Sequence, residues 1–80
     1  MFHFVYILRS EAAPGRHYIG MTSDLTQRLA AHNSGKVSHT SKFKPWTFET
    51  TVAFRDETKA AAFERYLKSG SGRELARRHF

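Results

Sequence analysis

The chain reads as an α/β-class domain of the α+β type: a three-stranded antiparallel sheet flanked by helices, in the order β-β-α-β-α-α. Three observations predict it. Two apolar-aromatic runs, 2–8 and 17–20, are separated by a short Pro-Gly turn. Two later stretches each follow an aspartate and carry apolar residues at helical spacing. Between those stretches lies a β-branched and aromatic run from Trp46 to Phe54. Eighty residues without an internal repeat or linker make one domain, 1–80.

In residues 2–8, Phe2, Phe4, Tyr6 and Leu8 alternate with His3, Val5 and Ile7, so both faces are largely apolar. That predicts a central strand covered on two sides. Glu11 to Gly15 is the turn, Pro14 fixing φ and Gly15 supplying freedom. The short connection makes the next strand, His17 to Gly20, antiparallel to the first.

Ser23 or Asp24 is a sound N-cap for the first helix. Leu25, Arg28, Leu29 and His32 then share one face, and Asn33-Ser34-Gly35 ends it. Lys36 to Pro45 is a polar surface loop without periodicity. In the third strand Trp46, Phe48, Thr50, Val52 and Phe54 alternate onto one better-buried face. Asp56 caps a second helix running to about Ser69, with the stripe Ala60, Phe63, Glu64 and Leu67. Gly70-Ser71-Gly72 stops it, and a last short helix starts at Arg73.

Composition narrows the function. There is no cysteine, hence no disulfide framework and no thiolate zinc site; this suits a reducing cytoplasm. No apolar run approaches the roughly 20 residues of a membrane span, and the N-terminus has neither a basic n-region nor a small-residue cleavage site. Thirteen Lys and Arg against seven acids give a net charge of +6, which points to an anionic partner, nucleic acid first. Lys36, Lys42 and Lys44 concentrate that charge in the loop, and the stretch from Arg73 to Phe80 is basic as well.

Polar groups at core positions carry the chemistry. Glu64 lies on the apolar stripe of its helix, where a carboxylate is costly unless paired or bound to a cation. An ion pair, for instance with Arg28, is the plain reading; a site for Mg²⁺ or Mn²⁺, which take one or two protein oxygens plus phosphate, is the functional one. Arg28 can grip phosphate and stabilise transition-state charge, or simply snorkel. His32, four residues on, can order a water, relay a proton or hold a tyrosine hydroxyl, unless it is a satisfied core histidine. Tyr6 and Tyr18 fall on adjacent strands, where their side chains can emerge together. A phenol is a poor base at neutral pH, but Arg28 and a metal-bound water close by could lower its pKa.

The order Val5-Tyr6-Ile7, Tyr18-Ile19-Gly20, Arg28 with His32 four later, and Glu64 resembles the GIY-YIG nuclease superfamily, in particular its small standalone members. The resemblance covers nearly the whole chain. It implies a GIY-YIG-like fold and a divalent-metal-dependent endonuclease that hydrolyses phosphodiester bonds. Glu64 would hold Mg²⁺ or Mn²⁺, Tyr6 or Tyr18 would handle the water, Arg28 the phosphate, and His32 the tyrosine or water. The substrate would be nucleic acid, DNA before RNA, with Lys36, Lys42, Lys44 and Arg28 binding it, and a protein partner could supply specificity. Two departures stand out: Met21 follows the second triplet where many relatives place lysine, and no asparagine follows Asn33. A non-catalytic nucleic-acid-binding module is the second reading, and a domain that docks an acidic protein the third.

Overall fold

A computed structural model describes residues 1–80. Strand β1 (His3–Ser10) is central, between β2 (His17–Thr22) and β3 (Trp46–Phe54), and both pairings are antiparallel. Its two-sided apolar pattern is the reason: Val5 and Ile7 are buried on one face, Tyr6 and Leu8 on the other. β1 continues past the expected end because Ser10 anchors the turn. Its N–H donates to the Arg16 carbonyl, and its hydroxyl donates to the Phe43 carbonyl while accepting from the Ala13 N–H.

Helix α1 (Leu25–Asn33) covers one face of the sheet. Asp24 caps it, accepting from the Gln27 N–H at 3.0 Å. Tyr6, Leu8 and Trp46 form the core here, with Tyr18, Leu25, Leu29, Phe43 and Phe48 around them. Helices α2 (Glu57–Lys68) and α3 (Gly70–His79) cover the other face, where Val5, Ile7, Ala60 and Leu67 pack with Ile19, Met21, Phe54, Phe63 and Ala76.

The third strand departs from the expected single buried face. Ile7 pairs with Thr50 but Leu8 pairs with Phe48, leaving Glu49 as the extra residue of a bulge. The bulge sends Trp46 and Phe48 to the α1 side and leaves Phe54 on the α2 side. Alternation alone cannot reveal such a switch.

The boundary between the last two helices also differs. Gly70-Ser71-Gly72 forms the first turn of α3 instead of a break before it. Ser69 alone makes the corner: its N–H donates to the Tyr66 carbonyl at 3.0 Å, and its hydroxyl accepts from the Gly72 N–H at 3.1 Å. A Cβ at Gly72 would overlap the Tyr66 carbonyl and the Leu67 backbone, so glycine serves close helix approach there. The Lys36–Pro45 loop is better ordered by bonds than its polarity suggested. It contains a 3₁₀ turn (Ser41–Phe43), and Thr40 is fully buried.

Candidate active site

Tyr6 and Tyr18 share the α1 face of the sheet, on neighbouring strands, with ring centroids 6.3 Å apart. They sit diagonally: Tyr6 pairs with Gly20 and Tyr18 with Leu8. A Cβ on Gly20 would collide with the Tyr6 hydroxyl and ring, so this glycine makes room for the phenol to cross β2. The helix α1 stripe brings Arg28 and His32 onto the same spot. Arg28 Nε donates to the Tyr6 oxygen at 3.4 Å, and Tyr6 lies 3.0 Å from His32 Nε2. The Tyr18 ring stands 4.8 Å from the imidazole.

The hydrogen-bond pattern assigns the tautomer of His32. Thr40 donates its hydroxyl proton to the Val37 carbonyl, so its oxygen accepts from His32 Nδ1–H at 2.9 Å. His32 Nε2 is then the acceptor, and the Tyr6 hydroxyl donates to it. The result is one directional chain from Arg28 through Tyr6, His32 and Thr40 to Val37. Burial, and then the Arg28 charge, pushes the His32 pKa below its ordinary value, which keeps the ring neutral as this chain requires.

Tyr6 is wholly buried, and Arg28 by itself does not make its phenol acidic. Desolvation outweighs the hydrogen bond and charge of Arg28, and Tyr18 and Glu64 add to the rise, so the Tyr6 pKa lies above the usual phenol value. Arg28 gains correspondingly: chiefly the bond to Tyr6 holds the guanidinium more firmly protonated. Tyr18 differs from Tyr6. It is half-buried, and its hydroxyl makes no hydrogen bond within the chain.

Glu64 reaches this group through its field alone, as the smallest contribution to the Tyr6 pKa. The alternative ion pair with Arg28 does not form; Glu64 instead meets Lys68 at 3.3 Å, one helical turn on. The Glu64 side chain keeps 22% of its surface exposed and Lys68 keeps 51%, so this pair opens readily to another cation. The chain holds no cluster of three or more His, Cys, Asp or Glu suited to a metal. One accessible carboxylate still fits an ion that keeps most of its waters and binds substrate phosphate, as Mg²⁺ and Mn²⁺ do.

Lys36, Lys42 and Lys44 are exposed on the loop that Thr40 ties to His32. Sequence reasoning missed Thr40, which holds His32 by its hydroxyl and Trp46 Nε1 by its carbonyl. It also missed Asn33, whose side-chain amide clamps the Trp46 backbone on both sides. No periodicity marked either one. Lys68 did carry a signal, the i,i+4 spacing from Glu64.

The model of the GIY-YIG catalytic domain matches residues 2–77. The chain belongs to the GIY-YIG nuclease superfamily. Among GIY-YIG relatives, it is 36% identical over 69 residues to a UPF0213 protein of Streptococcus pneumoniae, covering 85% of this chain and 70% of that one. It is 39% identical over 74 residues to the structure-specific endonuclease subunit SLX1 of Candida dubliniensis, covering 84% of this chain but 26% of that protein. The solution structure of the UPF0213 protein BH0048 from Bacillus halodurans matches with a TM-score of 0.57 at 33% identity, covering 95% of this chain and 82% of the other. The GIY-YIG fold expected from the motifs is therefore the fold observed, and the superfamily generally uses divalent metals.

Proposed function

We propose that this GIY-YIG domain is a divalent-metal-dependent endonuclease acting on nucleic acid, DNA before RNA. The observation that carries this reading is the joining of Tyr6, Tyr18, Arg28 and His32 on one face of the sheet, within the field of a carboxylate whose only partner is an exposed lysine. The roles follow from exposure. Tyr18, with a free hydroxyl, holds the attacking water. Arg28 keeps its terminal guanidinium nitrogens for a non-bridging phosphate oxygen, because only Nε is engaged within the protein. Tyr6 and His32 are positioning residues that fix Arg28 from behind. Glu64 would hold Mg²⁺ or Mn²⁺, which supplies Lewis-acid stabilisation of charge on phosphate and leaving oxygens. The exposed lysines Lys36, Lys42 and Lys44 draw the polyanion to the α1 side. A partner protein that confers specificity fits the subunit nature of its SLX1 relative.

The test is a panel of single-stranded, duplex and branched DNA and RNA with Mg²⁺ or Mn²⁺, comparing wild type with Glu64→Gln. Metal-dependent cleavage by wild type alone supports the proposal. Binding without cleavage under every condition replaces it with a non-catalytic module. That second reading is favoured by the full burial of Tyr6 and the internal Glu64–Lys68 pair.

A further inference from the structure

A cleft of about 690 Å³ opens on the other side of the sheet, against α3. Its floor is apolar, from Ile7, Ile19 and Ala76, with Phe80 at one end. Lys68, Arg73 and Arg77 stand around it, facing one acid, Glu49, which His17 already pairs at 2.9 Å. Arg73 has no ion-pair partner, while Arg77 and Lys68 are held by intrahelical carboxylates, Glu74 and Glu64. Such exposed helical pairs are weak and exchange readily for phosphate.

The cleft borders the candidate active site at two residues. Tyr18 lines it and also packs against His32; Lys68 lines it and also pairs Glu64. A strand leaving Tyr18 and Glu64 therefore meets this cleft next. An apolar floor with an aromatic side chain, ringed by cations, is the combination that holds unpaired bases and their backbone. The volume suits about one or two nucleotides, within the range of small-ligand sites, and is too small for a duplex.

We infer that this cleft binds the unpaired nucleotides next to the scissile phosphate, so that the domain selects nucleic acids with a single-stranded extension. The inference rests on the nuclease reading above and names the substrate class for that site. Arg73 and Arg77 carry the backbone phosphates, and Phe80 offers the stacking surface.

The experiment is fluorescence anisotropy without divalent metal, so that cleavage plays no part. The probes are a blunt duplex and the same duplex with a short unpaired extension, and the proteins are wild type, Arg73→Glu and Phe80→Ala, all full chains. Arg73 and Phe80 are exposed, so both variants fold, as thermal melting will verify. Wild type should prefer the extended probe by about tenfold or more, the gain from one well-stacked base. Arg73→Glu should abolish that preference, and Phe80→Ala should reduce it. Equal affinity of wild type for both probes overturns the inference, as does an equal loss on both probes in Arg73→Glu. Competition by poly-glutamate as strong as by an unpaired strand of equal charge also overturns it, in favour of an acidic protein occupant. If wild type binds neither probe, the nuclease reading fails too; if it binds both equally, only the cleft assignment falls.

Discussion

Tyr6 is the residue where the hydrogen bonds of the site converge, and its loss would be felt on two sides. Tyr6→Phe leaves His32 Nε2 buried without a donor and Arg28 Nε without its acceptor. The expected cost is about 1–3 kcal/mol of stability, measured by urea denaturation. Thr40→Val should cost a similar amount by stranding His32 Nδ1–H, although Trp46 keeps its bond to the backbone carbonyl at position 40. His32 also gives the protein a pH dependence of known sign. Its folded pKa lies below the ordinary 6.5, so the unfolded chain protonates first as pH falls. The contribution of His32 is therefore complete above that value and drains away as pH drops through the folded pKa. Urea midpoints from about pH 7.5 to about pH 5 should fall more steeply for wild type than for His32→Gln. Arg28 acts on the reaction more than on binding. Arg28→Ala should lower kcat by about 10²–10³-fold with substrate affinity within several-fold, and an equal loss of both would make it a docking residue.

At the scale of elements, the corner between α2 and α3 rests on glycine for one position and not for another. Gly72→Ala places a methyl into the Tyr66 carbonyl and should cost about 1–3 kcal/mol as α3 is pushed away. Gly70→Ala meets open space and should be neutral or stabilising by up to about 1 kcal/mol. Comparing the two melting temperatures checks both expectations. On α2, Lys68 competes with metal for Glu64, and an exposed i,i+4 pair is worth little. Lys68→Met should tighten Mn²⁺ binding about twofold, read by electron paramagnetic resonance. Unchanged Mn²⁺ affinity would mean that Glu64 is not the ligand.

For the whole molecule, the +6 charge predicts salt-sensitive binding to nucleic acid. Log affinity should fall linearly with log salt, by about 0.9 per phosphate contacted on duplex DNA. Replacing Lys36, Lys42 and Lys44 with glutamine should flatten the slope, whereas affinity indifferent to salt would remove electrostatics from the account. Much of this architecture was legible beforehand. The two-sided pattern of 2–8 gave the central strand, and the stripe of α1 brought Arg28 and His32 to the Tyr6 hydroxyl. What was hidden depends on tertiary geometry. The bulge at Glu49 leaves no trace in alternation, Thr40 looks like any polar loop residue, and two glycines that resemble a helix stop are a packing surface. The partnering of Glu64 by Lys68 instead of Arg28 was likewise decided by which groups the sheet separates.

The glycine opposite Tyr6 also governs how the sheet is aligned. Along β2, Tyr18 faces Tyr6 and helix α1, while Ile19 faces the opposite core and cleft. A slip of one residue would exchange these duties and set Ile19 or Met21 beneath the Tyr6 ring, where even a methyl does not fit. Gly20 is thus a steric key that admits a single register, and the alignment of β1 with β2 does not depend on the loop joining them. Extra residues inserted between Ala13 and Gly15 should leave the Tyr6–His32 bond in place, so this loop is free to vary in length while the site stays where it is.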